Sequence, residues 1–157
     1  MERPVRQPNR LKEWDYSHPG AYFVTICTKG RECLFWRDVG ANCVRPLSKT
    51  GCIVQREIAR WNETYEQVQI DKYVVMPNHI HVLLRIVPDA NGRTQFAPTL
   101  SRMVKQFKGA VTKQIGMPLF QRSFHDHIIR DERDYQMIWQ YIDQNPLKWE
   151  LDCFYTP

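Results

Sequence analysis

Two histidines spaced two apart, His79 and His81, lie inside a run of strand-forming residues, Tyr73-Val74-Val75-Met76-Pro77-Asn78-His79-Ile80-His81-Val82-Leu83-Leu84-Arg85-Ile86. Side chains of a strand alternate between its two faces. Ile80, Val82, Leu84 and Ile86 therefore point one way, and His79, His81, Leu83 and Arg85 the other. Two imidazoles on one face can grip a single divalent cation. Pro77-Asn78 suits a sharp turn into the strand. A half-solvated sheet face with two incidental histidines fits the same pattern, and the strand alone leaves both readings open.

A second set lies near the C-terminus. Residues advance about 100° each around a helix, so Tyr135, Ile138, Trp139 and Ile142 share one face, which is expected to pack on a sheet. Tyr141 falls at the flank of that face, where a phenol could reach a cleft. Asn145 lies one turn beyond it on the same edge. By this spacing Tyr135 is the core tyrosine. Tyr141 is either an ordinary boundary aromatic or a reactive one. A third set, His125-Asp126-His127, repeats the two-residue spacing on another strand-like segment. It ranks below His79 and His81 as a metal site and leaves a phosphate or DNA contact open.

These residues need elements to hold them. Ala21 to Thr28 has the β-branched and aromatic content of a strand, and a further short strand is possible near Asn42 to Arg45. Ser48 can cap a helix running to about Asn62 or Tyr65, with Ile53, Val54, Ile58 and Trp61 at helical spacing. Gln67 to Val75 and His79 to Val87 read as a hairpin. Asp89 to Ala97 is a polar loop. Pro98 or Thr99 opens a helix to about Ile115, with Leu100, Met103, Val104, Phe107 and Val111 as its apolar stripe. Ser123 to Arg130 is a fourth strand, and Asp131 caps a helix that ends near Asn145 because Pro146 follows. The order predicts an α+β fold of ferredoxin-like type. It is an antiparallel sheet with helices on one face, plus an added C-terminal helix that carries Tyr141. Residues 1–20, rich in Pro and Arg, form a basic N-terminal arm, and 21–157 a single domain.

Composition narrows the classes. At 157 residues the chain is one domain's length. Twenty-two Lys and Arg against 17 Asp and Glu give a net charge of +5, which favours a polyanionic partner. No apolar run approaches the roughly 18–20 residues that cross a membrane, and Met1-Glu2-Arg3-Pro4 opens no secretion signal. The five cysteines are odd in number and lack a Cys-x-x-Cys pair, which argues against a disulfide scaffold or a zinc ribbon. Reduced thiols in a cytoplasmic protein are expected.

Three segments together resemble a known family: residues 11–25 (Leu11 to Thr25), Val75-Met76-Pro77-Asn78-His79-Ile80-His81, and Tyr141-Ile142-Asp143-Gln144-Asn145-Pro146. They look like REP-associated tyrosine transposases, relatives of the single-tyrosine HUH transposases of bacterial insertion sequences, and the resemblance spans nearly the whole chain. It implies that His79 and His81 bind a metal, that Tyr141 is the nucleophile, and that Asn145 supplies a third ligand. The second His-x-His, at His125 and His127, departs from the family pattern. Because the chain ends at Pro157, soon after the tyrosine helix, no extra C-terminal module is expected.

A phenol with a pKa of about 10 is a poor nucleophile at neutral pH. A divalent cation on the scissile phosphate offsets developing charge and orients the phosphorus. Mg²⁺ or Mn²⁺ is the expected ion, and the product would be a 5′-phosphotyrosine with a free 3′-hydroxyl. The resemblance implies a single-stranded or hairpin DNA partner, no membrane, and a monomer or homodimer. Arg6, Arg10, Lys12, Arg102, Lys105, Lys108 and His127 are the candidate DNA contacts, with Trp14, Tyr16 or Trp36 stacking on bases. A catalytically silent DNA-binding protein of the same fold, an RNA-binding ferredoxin-like module and a hydrolase are the alternatives.

Overall fold

The computed structural model describes residues 15–37, 46–93 and 97–156. Four strands, β1 (Gly20–Cys27), β2 (Val68–Val75), β3 (His79–Ile86) and β4 (His125–Ile129), form one antiparallel sheet in the order β2-β3-β1-β4. Four helices accompany them: α1 (Lys49–Ala59), α2 (Trp61–Thr64), α3 (Leu100–Ile115) and α4 (Glu132–Gln144). This is the expected ferredoxin-like α+β arrangement with an added C-terminal helix. The two caps read from the sequence, Ser48 and Asp131, are in place, and of Pro98 and Thr99 it is Thr99 that caps α3. Ser48, Thr99 and Asp131 accept backbone N–H groups of Gly51, Arg102 and Asp134, satisfying donors that a helix start leaves orphaned.

The sheet has two different faces. Ile80, Val82, Leu84 and Ile86 join Tyr22, Val24 and Ile26 of β1 in the main core. Val54 and Ile58 of α1 and the expected α3 stripe, Leu100, Met103, Val104, Phe107 and Val111, close over them. The opposite face carries His79, His81 and Leu83, all buried, and is covered by α4 and the turn Asn145–Leu151 that follows it. Ile142 and Trp149 are buried there, apart from the main core.

A bulge in β2 attaches α4. Ile70 pairs with Leu84, yet the next pair along is Lys72 with Leu83, so the register shifts between them. Such an extra residue re-aims side chains locally. Asp71 and Lys72 both face α4. Asp71 accepts a hydrogen bond from the Tyr135 hydroxyl at 2.9 Å and two from Arg85 at 2.7 Å. Lys72 pairs with Asp143 at 2.7 Å and lies over the Trp139 ring. Tyr135, expected in the core, is therefore half-buried: it has a polar anchor on the sheet edge, and helical spacing alone could not show that.

Two glycines in helices should respond oppositely to Ala. A Cβ on Gly51 would meet the Phe35 carbonyl oxygen at 2.1 Å, while one on Gly109 meets nothing within 4 Å. Gly109→Ala is expected to stabilise by up to about 1 kcal/mol through helix propensity. Gly51→Ala should destabilise by about 3 kcal/mol or more through overpacking. Urea denaturation of both variants checks this, and equal shifts would contradict the packing described at Phe35.

Candidate active site

β3 is hydrogen-bonded on both edges, to β1 and β2, so its His face is held rigidly. Thr25 sits opposite His81 and Cys27 opposite His79 in the β1 register. The two rings converge. His79 Nε2 and His81 Nε2 are 3.0 Å apart, and the side chains are 0% and 1% exposed. Each Nδ1 is occupied from behind, His79 by Asn78 Oδ1 and His81 by Thr25 Oγ1, both at 2.8 Å. Burial pushes the His79 pKa down to about 4, against the opposing pull of Asp152. His81 is held well below the ordinary imidazole value by burial first and by its neighbour second. Both rings are thus neutral near pH 7, with unprotonated nitrogens available to a cation.

The third group at this point is Asp152. Its side chain is 1% exposed, and Oδ2 lies 3.7 Å from His79 Nε2. One ligand atom each from His79, His81 and Asp152 falls within 4.8 Å of the other two. Asp152 Oδ2 has no hydrogen-bond partner among the described residues. Electron-rich atoms brought together out of water, one of them an unsatisfied carboxylate oxygen, fit a divalent cation by type and spacing.

Tyr141 comes to the same place. Its hydroxyl is 3.3 Å from His81 Nε2, and its ring stands edge-on to Phe23, which in turn stacks on His81. The residue is 42% exposed, so one side of the phenol is open. Burial of the rest, and then the negative charge of Asp152, push its pKa up to about 12. Asn145 is buried, its Nδ2 lacks a partner among the described residues, and it lies close enough to Tyr141 to oppose that rise. A cavity of about 130 Å³ is lined by Tyr141, Asn145 and Asp152, with Gln144, Lys148 and Leu151 at its rim.

The structure brings His79, His81 and Tyr141 to one place, with Asn145 beside Tyr141 at the adjoining cavity, and adds Asp152. No periodicity marks Asp152. It arrives through an irregular turn, Asn145–Leu151, that folds the chain back over the histidines. Phe154 follows it onto the His79 ring, at 4.6 Å between centroids.

The candidate DNA contacts fare differently. Arg6, Arg10, Lys12 and Trp14 lie outside the described residues, as does the possible strand near Asn42 to Arg45. Helix α3, with Arg102, Lys105 and Lys108, packs on the sheet face opposite the histidines. Lys108 is not a free surface cation, because its Nζ donates to the carbonyls of Gln121, Arg122 and Ser123. Trp36 is likewise committed, its indole N–H donating to Val75 O at 2.7 Å. Tyr16 packs beside Tyr22. His125 and His127 do share the face of His79 and His81, through their register with Thr25 and Phe23. His127, however, is paired with Asp134 at 2.7 Å.

Comparison with known proteins adds an independent line. Residues 21–145 match the family described as "Transposase IS200 like". An uncharacterized protein of Haemophilus influenzae is 34% identical, over 96% of this chain and 93% of its own. A second protein of that organism, provisionally named a REP-associated tyrosine transposase, is 28% identical over 85% of this chain and 74% of its own. A solved REP-associated tyrosine transposase bound to a REP hairpin shares the fold with a TM-score of 0.61. Its identity is 20%, over 89% of this chain and 74% of that one.

The depressed histidine pKa values have a consequence for stability without metal. Above about pH 6.5 both rings are neutral whether the chain is folded or not. Below it the unfolded chain binds protons that the folded site refuses, down to about pH 4 for His79. Stability in a chelator should therefore fall from pH 6.5 to 5 by up to about 1.4 kcal/mol per unit for each ring. Urea denaturation across that range measures it, and His79→Gln should flatten the slope. An unchanged slope in that variant would contradict the buried neutral pair.

Proposed function

The chain belongs to the IS200-like transposase family, and on that premise we propose that it nicks and rejoins single-stranded DNA beside a hairpin, using Tyr141 as nucleophile in a metal-dependent reaction. The observation that carries this reading is the convergence of His79 Nε2, His81 Nε2 and Asp152 Oδ2 beside the Tyr141 hydroxyl. Hairpin DNA as the substrate is supported by the solved relative, which is bound to a REP hairpin.

The Tyr141 oxygen would attack the scissile phosphorus, forming a phosphotyrosine on the 5′ side as the bond to the 3′-oxygen breaks. The leaving oxygen takes up a proton and becomes a free 3′-hydroxyl. No phosphoryl energy is lost, so a 3′-hydroxyl can attack the phosphotyrosine in return and rejoin the strand. Tyr141 must first lose a proton that its buried, acidic surroundings retain, and its exposed edge gives that proton a path to water. His79, His81 and Asp152 would hold the metal, with Asn145 as a further oxygen donor from the tyrosine helix. When bound, a divalent cation there supplies positive charge that lowers the phenol pKa and offsets charge on the phosphate oxygens. Imidazole nitrogens in the donor set favour Mn²⁺ over Mg²⁺. Phe23 and the Asp71–Tyr135 anchor keep the Tyr141 ring beside the pair.

Residues 1–20 would form a basic arm and 21–157 the catalytic domain, in the cytoplasm with the nucleoid. Arg102 and Lys105, across the sheet from the site, would hold DNA backbone away from the scissile bond. Their double reversal to Glu should weaken binding across sequences alike and lower the salt slope by about one for each phosphate no longer neutralised. An unchanged slope in filter binding would remove α3 from the interface.

Labelled single-stranded hairpin DNA, incubated with Mn²⁺ and run on a denaturing gel, tests the chemistry. Wild type should give a covalent adduct and Tyr141→Phe none, with DNA affinity nearly unchanged. Tyr135→Phe should keep the adduct, because it loses only one hydrogen bond to Asp71, worth about 1 kcal/mol. An adduct that persists in Tyr141→Phe and vanishes in Tyr135→Phe would assign the nucleophile to the other tyrosine. No adduct from wild type with any divalent metal would favour the catalytically silent DNA-binding reading.

A further inference from the structure

Behind the paired histidines lies a second set of hydrogen bonds with a definite direction. Asn78 is 1% exposed and sits at the turn into β3. Its Nδ2 faces two carbonyl oxygens, Phe154 O at 2.8 Å and Arg31 O at 3.2 Å. Carbonyl oxygens only accept, so the amide nitrogen must be the atom on that side. That leaves Oδ1, an obligate acceptor, 2.8 Å from His79 Nδ1. The neutral ring must then carry its proton on Nδ1, and Nε2 is left unprotonated and pointing at His81 and Asp152.

The geometry around Arg31 supports a built feature. Arg31 has φ of 58°, a left-handed conformation unusual for a side-chain-bearing residue. It turns the Arg31 carbonyl towards Asn78, and the same oxygen also accepts from the Thr156 hydroxyl at 3.5 Å. The segments on either side of the site, 29–31 and 152–156, thus meet at one buried amide. On the second ring, Thr25 Oγ1 occupies Nδ1 of His81 at 2.8 Å from the neighbouring strand. A threonine hydroxyl can donate or accept there, so it holds the His81 ring in place without selecting its tautomer.

We infer that Asn78 is a positioning residue that fixes which nitrogen of His79 is offered to the metal, through an amide locked by the carbonyls of Arg31 and Phe154. Asn78 also joins the metal-facing ring to the returning C-terminal segment that brings Asp152. The inference rests on the proposed metal site, but the tautomer of His79 is a property of the metal-free protein and can be measured without it. Partners of this kind behind a ligating histidine usually change metal affinity about 10- to 100-fold when removed.

Two measurements on the full chain test it. Nitrogen-15 NMR of histidine-labelled, metal-free protein at pH 7.5 should show His79 protonated on Nδ1 in wild type, assigned by loss of its signals in His79→Gln. Mn²⁺ titration followed by electron paramagnetic resonance should show Asn78→Ala binding about 10- to 100-fold more weakly. Asn78→Asp loses the same two donated bonds but keeps an acceptor for Nδ1–H, so it should retain most of the affinity. Equal losses in Asn78→Ala and Asn78→Asp would reduce Asn78 to a structural tie. A His79 proton on Nε2 in wild type would overturn the inference even if Mn²⁺ binds. Wild type that carries the Nδ1 proton yet binds no Mn²⁺ would leave the tautomer lock standing and sink the metal reading instead.

Discussion

Two neutral imidazoles and a carboxylate oxygen face one another inside a protein, where water cannot separate them. Burial keeps both rings neutral near pH 7 and leaves their Nε2 atoms 3.0 Å apart on a strand bonded on both edges. The strand cannot rotate to part them without reversing every side chain, because alternation would carry Ile80, Val82 and Leu84 out of the core. The core therefore enforces the site: the same register that buries the isoleucine and leucine face presents the two histidines to the other side. Buried polar groups of this kind are costly unless satisfied, and a divalent cation satisfies all three donors together.

Placement of Tyr141 beside the pair is a separate problem with a separate solution. Helix α4 packs on the histidine face of the sheet, where Ile142 is its one buried apolar residue. The bulge in β2 compensates by turning Asp71 and Lys72 to the same side, one for the Tyr135 hydroxyl and one for Asp143 and the Trp139 ring. These anchors lie along the helix on either side of Tyr141's turn. Phe23 then sets the tilt of the Tyr141 ring from β1. The turn after α4 reverses the chain so that Asp152 approaches from the side opposite the sheet. Elements from the start, middle and end of the chain therefore meet at one point.

Much of this is legible in the sequence wherever regular structure carries the information. Alternation along 79–86 assigns each residue of β3 to its correct face, the α3 stripe is buried as spaced, and the caps at Ser48, Thr99 and Asp131 mark their helices. Tyr141 and Asn145 fall on the flank of α4 because helical geometry puts them there. What escapes has no period. Asp152 follows a turn whose direction is set by tertiary packing, and nothing distinguishes it locally from other acidic residues. The bulge at Asp71 moves Tyr135 from the expected core to a polar anchor, a result of pairing between strands. Lys108 reads as a surface cation by composition, yet three carbonyls of the 121–123 segment capture it. Charge has no face in a sequence, so the α3 cations read there simply as candidate DNA contacts, whereas in the fold the sheet stands between them and the histidines.

The proposed reaction requires one divalent cation held by His79, His81 and Asp152 beside Tyr141. Anomalous scattering from crystals grown with Mn²⁺, recorded near the manganese edge, tests it most directly. A single strong peak is expected among His79 Nε2, His81 Nε2 and the Asp152 carboxylate, within reach of the Tyr141 oxygen. A map without that peak, or one with manganese only at the exposed His127–Asp134 pair, would contradict it.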